Sequence, residues 1–87
     1  MSPAQNYLYN YHMSKTNPIG ERLQEIRRDF GLSQEGLARR LDVSVSTVIK
    51  WERGYFLPGA RALLAIAENF KVSINWLLMG KGPKFLQ

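Results

Sequence analysis

Six side chains between Ser44 and Arg53 share one helical face: Ser44, Val45, Ser46, Ile49, Lys50 and Arg53. Val48 and Trp51 point the other way. The face pairs no nucleophile with a histidine or cysteine, so what it offers is hydrogen bonds, charge and methyl contacts. A lysine ammonium donates to guanine O6 or N7, a serine hydroxyl serves several bases, and a valine methyl suits the methyl of thymine. Val45 has a second reading, as an ordinary core residue. Arg53 has two as well: a phosphate contact, or a solvated cation where a helix C-terminus favours one.

Such a face needs a short, firmly held helix. Ser44 is placed to cap it and Gly54 to stop it. Upstream, Leu37, Ala38 and Leu41 have the three-and-four spacing of another helix, with Ser33 as its N-cap candidate. Asp42-Val43-Ser44 breaks the pattern between the two. A tight corner often needs one left-handed residue, and Asp tolerates that conformation. Ala38 is small where the helices would cross. The stretch reads as a helix-turn-helix.

The flanks read as support. Asn17-Pro18 opens a first helix, Asn as cap and Pro at the first position. Its apolar stripe is Ile19, Leu23, Ile26 and Phe30; Arg22, Glu25, Arg28 and Asp29 are expected on a solvated face. Gly31 stops it and Leu32 turns inward. Residues 54–60 form a loop with Gly and Pro punctuation, from which Tyr55 or Phe56 is expected to protrude. A fourth helix over about 60–70 carries Leu63, Leu64, Ile66, Ala67 and Phe70, a face wide enough to predict a central, well-buried position. Ser73 caps a short fifth helix that ends at Gly80. The result is an all-α, compact five-helix domain over residues 17–80, with a short amphipathic tail over 81–87. Residues 1–16 stand apart. Tyr7, Tyr9 and Tyr11 alternate with Asn6, Leu8 and Asn10. One reading is a flexible or vector-derived leader with Met13 as the natural start; the other is an arm that packs on the domain or reaches along DNA.

Composition narrows the classes. With 87 residues there is room for one small domain, and a formal charge of +5 favours polyanions. There is no Cys, which suits a reducing cytoplasm and leaves neither disulfide nor thiolate zinc site. His12 is the only histidine, so a metal site is not expected. The seven carboxylates are scattered, and no Gly-rich phosphate loop occurs, so an enzyme is not expected. Nothing implies a cofactor, a small-molecule ligand or a membrane. Trp51 and Trp76 are expected in the core.

These motifs carry a resemblance. Ile19-Gly20-Glu21-Arg22-Leu23, Gly31-Leu32-Ser33-Gln34, Trp51-Glu52-Arg53-Gly54, Val72-Ser73 and Trp76-Leu77-Leu78-Met79-Gly80 occur in order and at family spacing. Together with the stretch from Gln34 to Gly54 they resemble the helix-turn-helix proteins of the lambda-repressor and Cro type, also called the XRE type. The likeness covers roughly residues 18 to 80. It implies a lambda-repressor-like fold with the helix-turn-helix at helices two and three. It implies a transcriptional regulator, a repressor, that binds double-stranded DNA at a palindromic operator as a homodimer. Val45, Ser46 and Lys50 match the family's base readers, with Ser44 beside them at the helix start. Gln34 matches a phosphate-binding glutamine that also braces a polar residue early in helix three. That position is Val45 here, so the brace should not form. Ser33, Arg53 and Tyr55 are further phosphate candidates. Arg27 and Glu52 match an ion pair between helices one and three, with Arg27 partly available to phosphate. Dimerisation through the last helix and tail would use Ile74, Trp76, Leu78, Phe85 and Leu86. The competing reading is a protein-interaction module on the same fold, such as the antitoxin of a toxin–antitoxin pair, with a toxin or regulator as partner.

Overall fold

The computed structural model describes residues 18–86. The readings of the N-terminal arm, His12 and the Asn17 cap lie outside them. Five helices are described: α1 Pro18–Asp29, α2 Gln34–Leu41, α3 Val45–Arg53, α4 Ala60–Phe70 and α5 Ile74–Met79. The other regular pairing among these residues is an isolated antiparallel bridge, Val72 to Phe85. Helix α1 packs on α3 and α5, α2 on α3 and α4, and α4 on α5.

Each helix starts and stops for a local reason. Ser33, Ser44 and Ser73 have extended backbones, and each side-chain oxygen accepts the N–H three residues on. Asp42 ends α2 in the left-handed conformation, with φ 56°. Gly54 does the same for α3 at φ 82°. Lys71 ends α4 at φ 56° without being glycine.

One core serves the whole domain. Leu23 and Ile26 of α1 meet Leu37, Ala38 and Leu41 of α2, and Val48 and Trp51 of α3. Ile66, Phe70, Val72 and Leu77 close it from the other side. Ile19, Leu32, Val43, Val45, Leu63 and Trp76 pack around this cluster, partly buried.

Several expectations are corrected. Phe30 lies beyond the last residue of α1 and is exposed. Its ring meets Phe70 edge-on at 4.8 Å and faces Phe85 at 6.1 Å. Helix α4 is not central. Ile66 and Phe70 are its buried residues, and Leu64 is 55% exposed. A broad apolar stripe cannot tell burial from an uncovered flank. Trp76 is half-buried, with Lys84 Nζ 5.3 Å from its ring centroid. Glu25 and Asp29 are not merely solvated: both pair with Lys84, Asp29 at 2.7 Å. Arg22 donates to Leu77 O at 3.0 Å. The chain after Gly80 turns back on the domain. Ser73 N donates to Lys84 O at 2.9 Å and Leu86 N to Lys71 O at 2.7 Å.

Candidate nucleic-acid interface

The α2–α3 corner sets where the face of α3 points. Val43 N donates to Ala38 O at 3.0 Å and Asp42 N to Arg39 O at 3.3 Å, the doubled closure that left-handed caps make. Three residues therefore suffice to join the two helices. Leu37, Ala38, Val48 and Trp51 then lock the helices together from below.

The outward face of α3 is composed much as its spacing predicts. Ser46, Lys50 and Arg53 are exposed and Ile49 is half-exposed. Val45 is half-buried and packs against the core cluster, with part of its surface exposed. Ser44 is exposed, but its oxygen accepts Thr47 N at 3.1 Å and lies 2.9 Å from the Thr47 hydroxyl. That engagement leaves Ser46, Lys50 and Arg53 as the exposed polar groups of the face, with Lys50 lying over the ring of Phe56. The Thr47 partner was not read from the sequence; a Ser-x-x-Thr spacing at a helix start was the available signal.

The base of the site is a polar network on Glu52, which is buried at 2% exposure. Arg27 Nε and Nη2 donate to its two carboxylate oxygens at 2.7 and 3.0 Å. Gln34 Nε2 donates to the same carboxylate at 3.1 Å. Gln24 Nε2 donates to the Glu52 backbone carbonyl at 3.2 Å. Arg27 Nη1 meets Leu32 O at 3.1 Å, tying in the loop before α2. Donation to the Glu52 carboxylate raises the Arg27 pKa above the usual arginine range. Gln34 thus lacks the brace to position 45, as its valine requires, and is anchored to Glu52 instead. The valine at position 45 signals the loss, and nothing local in the sequence signals the replacement.

Gly20 makes this geometry reachable. A Cβ there would stand 2.6 Å from Trp51 O and 2.8 Å from Glu52 O. The two helices approach backbone to backbone at this point, and only glycine fits.

Arg39, Lys50, Arg53 and Arg61 are exposed, and no ion pair holds them among the described residues. Ser33 and Tyr55 are exposed at the two ends of the helix-turn-helix, and Gln34 is half-buried at the start of α2. Phe56, beside Tyr55, is exposed as well and approaches Lys50. Of the residues expected to pair two copies, Ile74, Leu78, Phe85 and Leu86 are exposed. Met79, the last residue of α5, is exposed as well. Among the described residues there is no group of three His, Cys, Asp or Glu able to hold a metal, and no helix long and apolar enough to cross a membrane.

Known proteins share this architecture. The helix-turn-helix domain family matches residues 20–83. The transcriptional activator BcrR of Enterococcus faecalis is 41% identical over 63 residues, which are 72% of this chain and 31% of BcrR. The transcriptional regulator DicA of Escherichia coli is 34% identical over 71 residues, 82% of this chain and 53% of DicA. The match therefore spans 31% to 53% of the length of these curated relatives. The crystal structure of the P22 c2 repressor with a synthetic operator superposes with a TM-score of 0.69 at 30% identity, covering 76% of this chain and 100% of that one. By its helix order, its corner and these matches, the chain belongs to the helix-turn-helix family of transcriptional regulators, in its lambda-repressor-like branch.

Proposed function

We propose that this domain reads a sequence in duplex DNA through α3 and regulates transcription as a repressor, by occupying an operator. One observation carries the reading. A short helix with Ser46, Lys50 and Arg53 exposed is clamped at its start by the Asp42 corner and at its end by the Glu52 network. A rigid helix with an uncommitted polar face is what major-groove reading needs. The operator-bound P22 c2 repressor has the same fold, which supports the same use.

Ser46 and Lys50 read base edges, Val45 supplies methyl contact, and Ser44 contributes through the cap that starts the helix. Ser33, Gln34, Arg53 and Tyr55 take phosphates. Arg27 has five N–H donors and three are in the bonds above, so its remaining donors can join them. The domain acts as a homodimer on a palindromic operator. One such unit covers few base pairs, and two linked copies gain affinity from each other. The exposed apolar strip of Ile74, Leu78 and Leu86, with Trp76 and Phe85, is the pairing surface. The same strip would serve a protein partner, as an antitoxin requires. The regulator works in the cytoplasm, with the DNA.

Selection from a random duplex library at moderate salt tests this. The expected result is an inverted repeat with half-site centres about 10–11 base pairs apart. Salt-sensitive binding without enrichment would overturn it and favour the protein-partner reading.

A further inference from the structure

The loop after α3 exposes three consecutive large side chains. Tyr55 is 66% exposed, Phe56 59% and Leu57 52%. Phe56 takes no part in the core cluster or the partly buried shell around it. Its ring meets Lys50, whose Nζ stands 5.5 Å from the ring centroid. That is inside the roughly 6 Å reach of a cation–π contact.

The backbone fixes this pairing. Gly54 reverses the chain at φ 82°. Tyr55 N then donates to Lys50 O at 2.9 Å, and Phe56 N approaches the same oxygen at 3.4 Å. Residue 56 therefore returns to the side of residue 50 whatever its side chain. An apolar ring at such an open site adds nothing to the core, so its consequence falls on its neighbour.

Lysine on an open helix face samples many rotamers, and ordering them on binding lowers affinity. A ring against the side chain removes part of that freedom beforehand. The ammonium has three donors, so contact with the ring face leaves donors for a base edge.

We propose that Phe56 is a positioning residue for Lys50, holding its ammonium ready for a guanine and sharpening preference for G·C at the base pair Lys50 reads. The role rests on the DNA-reading function proposed above. The contact itself does not, and that separates the two tests.

In the free protein, nuclear magnetic resonance of the Lys50 methylenes should show upfield ring-current shifts that Phe56→Leu abolishes and Phe56→Tyr retains. On the selected operator, Phe56→Leu should weaken binding about two- to five-fold, the range of an exposed cation–π contact. Preference at the Lys50 base pair should flatten, while the slope of affinity against salt stays unchanged because no phosphate contact is lost. In a double-mutant cycle with Lys50→Met, Phe56→Leu should cost little once Lys50 is gone. Fully multiplicative losses, tighter binding by Phe56→Leu, or absent ring-current shifts in the wild type would each overturn the proposal. A wild-type protein that selects no sequence, with the shifts present, would instead bring down the DNA-reading function and leave the contact standing.

Discussion

Helix α1 carries an ion pair on each of two faces, and on each a side-chain nitrogen stands 2.7 Å from a carboxylate oxygen: Arg27 to Glu52 and Lys84 to Asp29. Distance does not separate them; surroundings do. The Glu52 side chain is 3% exposed and Arg27 17%, whereas Asp29 is 35% exposed and Lys84 24%. Glu52 is held in two-point geometry by Arg27 and again by Gln34. Lys84 spreads one ammonium over Glu25, Asp29 and the ring of Trp76. The first pair sits in low dielectric, where losing one partner strands the other. The second sits in water and salt, where such contacts are weak. One face of α1 fixes the end of α3, and the other fastens the C-terminal strap.

Breaking the buried side should have the largest effect. Glu52→Ala leaves the Arg27 guanidinium and the Gln34 amide without their acceptor. The expected loss is about 3–5 kcal/mol of unfolding free energy, read by urea denaturation. Folding suffers more than base choice, so a variant with native stability and altered sequence preference would refute this role. Gly20→Ala attacks the same junction through sterics. The new methyl collides with two carbonyls that belong to backbone and cannot rotate away. The helices must part, at about 1–3 kcal/mol. Since Gln24 and Arg27 reach across that junction, DNA affinity should fall along with stability.

The contrast between these faces also marks what was legible in the sequence. Helix starts at Ser33, Ser44 and Ser73 and stops at Gly54 and Gly80 follow from single residues whose chemistry has few other uses there. The left-handed corner at Asp42 was readable for the same reason. Arg27 and Glu52 came from family positions, because twenty-odd intervening residues carry no local signal of contact. Gln34 on Glu52, Lys84 on Glu25 and Asp29, and Phe56 beside Lys50 were not readable. Each depends on how a loop or strap returns, and side-chain periodicity says nothing about return paths. Lys71 makes the point from the other direction. It adopts φ 56° with no residue-level hint, because the strap behind it fixes the chain through Leu86 N to Lys71 O.

The exposed side should yield the smallest change, and a characteristic one. Lys84→Met keeps the stem beside Trp76 and removes the charge. Hydrogen bonds donated to Asp29 and then Glu25 hold the Lys84 pKa above the usual lysine range. A raised folded pKa means the charged form is favoured by folding. The contribution is therefore fully present below the unfolded value of about 10.4 and disappears as pH rises through the folded value. Across neutral pH, wild type and Lys84→Met should differ by a constant amount of no more than about 1 kcal/mol. In 1 M salt, where screening acts within about 3 Å, that difference should shrink toward zero, while the Glu52→Ala loss should persist. A Lys84→Met loss as large and as salt-resistant as that of Glu52→Ala would mean the strap is clamped as firmly as α3. The two faces of α1 would then be equivalent after all, and burial would not be what separates two contacts of equal length.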